Sequence, residues 1–194
     1  MKKTSFIDNV VDHINAGYQC LLIPTVEEAR CLKALEQAAE RLHNKTTKKD
    51  MDIVTFDTLQ GFSGVDPSYN TKNIVEGILK TQDPNLFGAD SDHMMVFRDI
   101  HPAYNNPEVR RAIRSMFAKS GFSNSNYRRP LVLLQPTPTI HPELSSCVAT
   151  IDFEMPTHEQ LLEVVAETDS AIKRAGKSIP QDKFHELAQA MLGL

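Results

Sequence analysis

The feature that most constrains this chain is a set of short apolar runs with no polar residue between their members: Cys20-Leu21-Leu22-Ile23, Met94-Met95-Val96-Phe97 and Leu131-Val132-Leu133-Leu134. A strand with one wet face alternates apolar and polar side chains, whereas an unbroken run suits a strand covered on both faces, as in a parallel sheet. Two further strand-length segments, Ile53–Phe56 and Ala149–Phe153, bring the expected number to five.

The segments between these runs carry apolar residues at helical spacing. Phe6, Ile7, Val10, Val11 and Ile14 make one face of a first helix, closed by Gly17. Thr25 with Glu28 has capping-box spacing and opens a helix expected to turn Val26, Ala29, Leu32, Leu35, Ala39 and Leu42 inward. Ile74, Val75, Ile78 and Leu79 mark a third helix. Asn106-Pro107 supplies an N-cap and first-turn proline for a fourth, with Val109, Ile113, Met116 and Phe117. Thr157-His158-Glu159-Gln160 is another capping box, ahead of Leu161, Leu162, Val164, Val165 and Ile172. Gln181–Leu192 closes the chain with Phe184, Leu187, Ala188 and Met191. His43–Asp50, Gly61–Asn70 and Thr81–His93 read as irregular connections. The alternation predicts a three-layer α/β domain with a mostly parallel five-stranded sheet over residues 1–156, and a small helical lid over residues 157–194. The final Met191-Leu192-Gly193-Leu194, without a polar tail, reads as a boundary or as the end of a short protein.

Charge and cysteine usage narrow the function. With Lys+Arg 21 against Asp+Glu 25, the net charge of −4 argues against a dedicated polybasic nucleic-acid or membrane binder. Cys20, Cys31 and Cys147 have no metal-site spacing. The Met-Lys-Lys start lacks the apolar stretch of a signal peptide, because Asp8, Asn9 and Asp12 interrupt it. With no window long enough to span a membrane, a soluble, cytoplasmic protein is expected.

Ligands of such sheets bind beyond the carboxyl ends of the strands, here the loops 24–28, 57–70, 98–107 and 135–145. A phosphate loop after the first strand needs glycines and a lysine, and Pro24-Thr25-Val26-Glu27-Glu28 offers neither. Asp99 follows the Met94–Phe97 run and reads either as a metal or water ligand, or as a residue that caps a turn or pairs with Arg98 or a neighbouring loop. Gly61-Phe62-Ser63-Gly64 reads as an anion cradle or as a surface turn. His93, His101 and His141 fall in loops without metal-ligand spacing. Cys147 has no base nearby in sequence, and Ser145-Ser146 lies outside any nucleophile elbow. From Arg110 to Pro130 there are six basic residues (Arg110, Arg111, Arg114, Lys119, Arg128 and Arg129) and no acid, whereas Glu154 to Asp169 holds five acids and no Lys or Arg. Opposite blocks on one chain suit head-to-tail assembly of identical subunits, or are two solvated faces. Arg128 and Arg129 beside Tyr127 also admit a nucleic-acid contact.

Three stretches resemble a known family: Leu21-Leu22-Ile23-Pro24-Thr25-Val26-Glu27-Glu28-Ala29-Arg30, Phe97-Arg98-Asp99-Ile100-His101 before Asn106-Pro107-Glu108-Val109-Arg110-Arg111, and Ile140-His141-Pro142-Glu143-Leu144 before Ile151-Asp152-Phe153-Glu154-Met155-Pro156-Thr157. Together they resemble the N-terminal domain of the AAA-class ATPases first noted as a hypothetical plastid reading frame and found also in cyanobacteria, other bacteria and phages. The resemblance implies a degenerate AAA-like, P-loop-like fold without working nucleotide machinery, non-catalytic, regulating or assembling an ATPase through protein contacts. It implies no cofactor in this chain, with ATP and Mg²⁺ belonging to an active module beyond Leu194. Partners are then that module and further copies of the chain. Thr25–Glu28 stands in place of the phosphate loop, and Asp99-Ile100 in place of the Asp-Glu pair that binds magnesium and activates water. Gln135 and Thr137 fall at the sensor position, and Ser145-Ser146 near an arginine-finger position. Asp99, Gln135 and Thr137 are thus the cofactor-site candidates, and Arg110, Arg111, Arg114, Arg128 and Arg129 the partner-site candidates. The alternatives are a nucleotide-dependent hydrolase with an atypical site and a nucleic-acid adaptor working through the 110–130 surface.

Overall fold

The structure, a computed structural model, describes residues 5–42, 50–87, 91–120, 127–174 and 176–191. Its elements in chain order are α1 (Phe6–Asn15), β1 (Cys20–Pro24), α2 (Glu28–Arg41), β2 (Asp52–Asp57), β3 (Gly61–Phe62), α3 (Ile74–Lys80), α4 (Pro84–Phe87), β4 (His93–Arg98), α5 (Pro107–Ser120), β5 (Leu131–Gln135), β6 (Ala149–Thr150), α6 (His158–Lys173) and α7 (Phe184–Met191). Three short 3₁₀ turns lie at His101–Asn105, Pro142–Leu144 and Gln181–Lys183. The chain divides into two compact units, Met1–Phe153 and Glu154–Leu194.

The first unit is built on a six-stranded sheet in the order β3-β2-β4-β5-β1-β6, parallel except for the β2–β3 pair. β1 runs beside β5 with Cys20 opposite Leu131 and Ile23 opposite Leu134. Successive side chains leave opposite faces of a strand, and both faces are filled. Cys20, Leu22, Met95, Phe97, Leu131 and Leu133 join one core with Ile78 of α3 and Val109, Ile113 and Met116 of α5. Leu21, Ile23, Met94, Val96, Val132 and Leu134 join the other with Val10 and Ile14 of α1 and Cys31, Leu35 and Ala38 of α2. The apolar runs are unbroken because each residue has a core to enter. The mostly parallel α/β sheet is therefore as expected, with one strand more.

The extra strand is β3, a two-residue antiparallel edge inside the expected Gly61–Asn70 loop. It is held by Asn70, whose Oδ1 accepts from the Phe62 N–H at 2.8 Å and whose amide donates to the Phe62 carbonyl at 3.2 Å. Two residues carry no periodicity to read. At the other edge the expected Ala149–Phe153 strand is regular only over Ala149–Thr150, with the Ile151 N–H still bonded to the Leu22 carbonyl at 2.9 Å. Short edges of this kind blunt sheet-to-sheet pairing.

Helix caps explain most of the other boundaries. Ser5 caps α1, Asn73 caps α3, and the Thr157–Gln160 box at α6 is closed from both sides. Asn106 accepts from the Glu108 N–H at 2.8 Å at the start of α5. The Thr25–Glu28 box does not form. Thr25 Oγ1 instead accepts from the Glu27 N–H at 3.0 Å in a tight turn, and α2 starts only at Glu28. Leu35, Ala39 and Leu42 are buried as expected and Leu32 partly so, joined by Cys31 and Ala38, whereas Ala29 is exposed and Val26, ahead of the helix, is 80% exposed. The Thr81–His93 connection holds the short α4, and His93 lies buried in β4 rather than in a loop. The Lys-rich stretch 43–49, and the side chains of Phe117 and Lys119, fall outside the described residues.

The second unit packs α6 against α7. Leu161, Val165 and Ala188 are buried, with Leu162, Ile179 and Phe184 against them. The closing helix is shorter than expected, a 3₁₀ turn at Gln181–Lys183 leading into α7. Buried Asp169 accepts from the Ile179 N–H at 2.7 Å and pairs with Lys173 at 2.6 Å, fixing the turn after α6. No helix among the described residues is long and apolar enough to cross a membrane.

All three cysteines are free thiols. Cys20 and Cys31 are buried and Cys147 is partly so. Burial pushes the Cys31 thiol up to about 12 and raises those of Cys20 and Cys147 as well.

The tightest helix-to-sheet approach is at Gly77 in α3, where a Cβ would lie 2.8 Å and 3.0 Å from ring carbons of Phe56. Phe56 is itself stacked on Phe97 at 4.4 Å and cannot retreat. An exposed helical Gly→Ala change gains about 1 kcal/mol. We expect Gly77→Ala to lose about 1–3 kcal/mol by overpacking instead, read as a lower urea midpoint at unchanged m-value.

Candidate functional site

Parallel strands that all end on one side bring their following loops together there. In this chain those ends carry a group of charges that neutralise one another. Arg98, the last residue of β4, pairs through Nη2 with Asp57 Oδ2 at the end of β2, and through Nη1 with Glu28 Oε2 at the start of α2, at 3.6 Å. Asp57 Oδ1 accepts from the backbone N–H groups of Leu59 and Gln60, each at 2.8 Å. Burial alone would raise the Asp57 carboxyl. The Gln60 and Leu59 N–H groups and the Arg98 guanidinium outweigh burial and hold it below the ordinary carboxylate value. Beside this group, Arg30 donates from Nε to Glu27 Oε2 at 3.1 Å, and its guanidinium lies 3.9 Å over the Phe153 ring.

The residues at the position of a phosphate loop do not fit a nucleotide triphosphate. The 24–28 turn has no glycine to let backbone N–H groups converge and no lysine for the terminal oxygens. Its two carboxylates, Glu27 and Glu28, sit in or before the first turn of α2, where an anion would otherwise be welcomed. Arg98, the one cation at the end of β4, is already shared between two acids.

The three cofactor-site candidates lie close together but differ in availability. Asp99 is the one described non-glycine residue with positive φ, at 52°, which Asp tolerates better than most side chains. Its carboxylate is exposed and stands 3.9 Å from His101 Nδ1, an ion pair only when that imidazole is protonated. Gln135 is buried and both ends of its amide are used: Oε1 accepts from the Tyr104 hydroxyl at 2.7 Å, and Nε2 donates to the Thr137 and Thr139 carbonyls at 2.7 and 2.9 Å. Thr137 is exposed, with its backbone carbonyl holding Gln135. Gln135 thus shapes the loop after β5 from within. No group of three His, Cys, Asp or Glu side chains suited to a metal ion occurs among the described residues.

The basic stretch is dispersed by the fold. Arg129 is 2% exposed, so the expected surface contact does not apply to it. Its Nη1 donates to the carbonyls of Thr81 at 3.0 Å and Asp83 at 3.3 Å, and its guanidinium lies 4.0 Å from the Tyr127 ring. Burial lowers its affinity for the proton. Arg128 bonds Asp92 Oδ2 through Nε at 2.9 Å and the Leu42 carbonyl through Nη2 at 2.7 Å. Arg110 and Arg114 both pair with Glu143, at 3.2 and 3.3 Å. Arg111 is exposed on α5. It borders an open groove of about 620 Å³ between α3 and α5, with Val75, Leu79 and Ala112 in its wall. Glu143 and Asp92 are far from these arginines in sequence, and no local pattern signals either pairing.

The family model described as "SpoVK-like AAA ATPase, N-terminal domain" matches residues 6–153. No curated protein matches the sequence. Among solved structures, PCH-2 of C. elegans aligns at TM-score 0.62 with 9% identity, covering 97% of this chain and 59% of that one. A chain of the E. coli MS115-1 HORMA:CdnC:Trip13 complex aligns at TM-score 0.52 with 11% identity, covering 88% of this chain and 57% of the other. At such identities the likeness is one of fold, and this chain spans less than two thirds of either.

The Asp57 carboxylate supplies a test of the strand-end charges. Because its folded proton affinity is depressed, its stabilising contribution is present above the unfolded carboxylate value and lost as pH falls through the folded one. Stability should decline below about pH 4, and Asp57→Asn should flatten that decline in urea titrations run from neutral to acid pH.

Proposed function

The chain belongs to the family of N-terminal domains of SpoVK-like AAA ATPases, and from that premise we propose that it is a non-catalytic domain of such an ATPase, regulating or assembling the enzyme through protein contacts. ATP and Mg²⁺ belong, in this reading, to an ATPase module elsewhere in the polypeptide. The observation that carries it is the closed charge group at the strand ends. Arg98 is shared by Asp57 and Glu28 where an active module needs free cations and converging N–H groups. A site that neutralises itself has no pull on phosphate.

The partner surface we assign is the α3–α5 groove. Arg111 offers an exposed cation beside Leu79, which is 49% exposed. An apolar wall whose lining also holds Arg111 and Glu108 suits an amphipathic segment that brings a carboxylate to Arg111, of the ATPase module or of a second copy. Arg110 and Arg114 are not in the lining of that groove and pair with Glu143 instead. The commitment of Arg128 and the burial of Arg129 remove two of the cations on which a nucleic-acid adaptor would depend.

Titrating the chain with a fluorescent ATP analogue and Mg²⁺ tests the first part. No saturation is expected up to millimolar nucleotide, and saturable binding lost in Asp99→Ala would show that the domain is catalytic or nucleotide-sensing after all. In the full polypeptide, Arg111→Glu and Leu79→Asp should each alter the oligomeric state or lower the ATPase rate several-fold. An unchanged enzyme in both respects would rule out the groove as the contact surface.

A further inference from the structure

We propose that the α3–α5 groove is a two-fold contact between copies of this chain, in which Arg111 of each copy pairs with Glu108 of the other. The proposal rests on that groove being the partner surface and names its occupant. Among the described residues that line the groove two are charged, Glu108 and Arg111, and their signs are opposite. They lie three residues apart on α5 and therefore on one face of that helix. Both are exposed. The ion pairs of α5 use Arg110 and Arg114, each on Glu143, and leave Glu108 and Arg111 without an ionic partner among the described residues.

A surface that binds its own copy across a two-fold axis must carry both halves of every pair, because residue i meets j on one side of the axis and j meets i on the other. An antiparallel crossing of two α5 helices meets that condition with one acid and one base a turn apart. It forms two equivalent ion pairs. A partner of unrelated sequence would be served as well by a groove of a single sign. The rest of the lining suits the same approach. Ala112 and Ser115 are small, and the Ser115 hydroxyl already donates to the Ala112 carbonyl at 2.6 Å, so a second helix strips no free donor of its water. Small residues at a crossing let helix axes approach to the near end of the usual range of about 8–10 Å. On α3, Leu79 is 49% exposed and Val75 is partly buried, and the α5 of the other copy covers both.

Such a contact closes on itself and gives a dimer. Head-to-tail assembly instead needs a basic patch to face an acidic one, and most arginines of the 110–130 stretch are spent inside the fold. Arg110 and Arg114 are held by Glu143, Arg128 by Asp92, and Arg129 by backbone carbonyls. A contact one helix long lies at the small end of specific interfaces, under about 1,200 Å². Association is therefore weak and depends on concentration.

Sedimentation velocity on the whole chain, from about 10 µM to about 1 mM, tests the contact. The mass should rise from that of one chain toward that of two and stop there. Arg111→Glu sets carboxylates against carboxylates across the axis, and Glu108→Arg sets guanidinium groups against each other. Each variant alone should weaken the dimer at least about tenfold. Mixed in equal amounts, the two should recover it, because every pair across the axis then joins an acid to a base. If a single variant folds poorly, the double variant Glu108→Arg/Arg111→Glu, which keeps both charges in reversed order, should dimerise like the parent. A chain that stays monomeric, a mass that climbs past two chains, a dimer indifferent to both single variants, or variants that do not recover on mixing would overturn the proposal. If the chain stays monomeric while Arg111→Glu lowers the ATPase rate of the full polypeptide, the groove holds another segment and its reading as the partner surface stands.

Discussion

The parallel pairing of β1 with β5 is the constraint on which the first unit depends. Both are interior strands of the sheet, and each of their apolar residues enters one of two cores. A one-residue slip would exchange every side chain between the faces. Cys20 and Leu22 would then meet α2, and Leu21 and Ile23 would meet α5, each in space shaped for the other set. Burying side chains such as these is worth about 1.5–3 kcal/mol apiece, so the register is held by many contacts at once. The same pairing sets the level at which β4 and β5 end: the Asp99 N–H bonds the Leu134 carbonyl at 2.9 Å and the Thr25 N–H bonds the Gln135 carbonyl at 2.8 Å. The loops of the strand-end face therefore stand where they do because of the core.

What gathers on that face is a set of ion pairs rather than a cavity lined with free donors. Partly exposed pairs contribute little individually, about 0–1 kcal/mol. Their effect here is on availability. Arg98 cannot leave Asp57 and Glu28 for an incoming anion without exposing two carboxylates to it. Gln135 cannot turn toward a ligand without freeing the Tyr104 hydroxyl and the carbonyls of Thr137 and Thr139. A fold whose strand ends commonly face a ligand is satisfied here by its own side chains.

The layers of this structure were legible in the sequence because they follow from periodicity. Runs such as Leu131–Leu134 announce a strand covered on both sides, and Asn106 and Thr157 announce helix starts by chemistry that acts within four residues. The failures share a cause of the opposite kind. Thr25 has the spacing of a capping box, yet its hydroxyl closes a shorter turn, and only the path from β1 to α2 decides between the two. Arg128 and Arg129 look like surface cations because the groups that claim them, Asp92, the Leu42 carbonyl and the Thr81 and Asp83 carbonyls, arrive from distant parts of the chain. The Arg98–Asp57 pair joins residues 41 apart in sequence, and no window of local sequence contains both. The sequence points to the loops at the strand ends as the place to look for a site, while the pairing of the side chains there comes from the topology.

The burial of two thiols has a consequence for following this molecule over time. Cys20 sits in the interior strand β1 and Cys31 in the helix that covers it, each with no exposed surface. A thiol reagent reaches them only when the sheet and α2 separate, whereas Cys147, outside the sheet, is partly open in the folded state. The three reactions of one chain therefore run on two clocks. The fast one reports on the segment between the Pro142–Leu144 turn and β6, and the slow one counts openings of the layer that sets every other position in the unit.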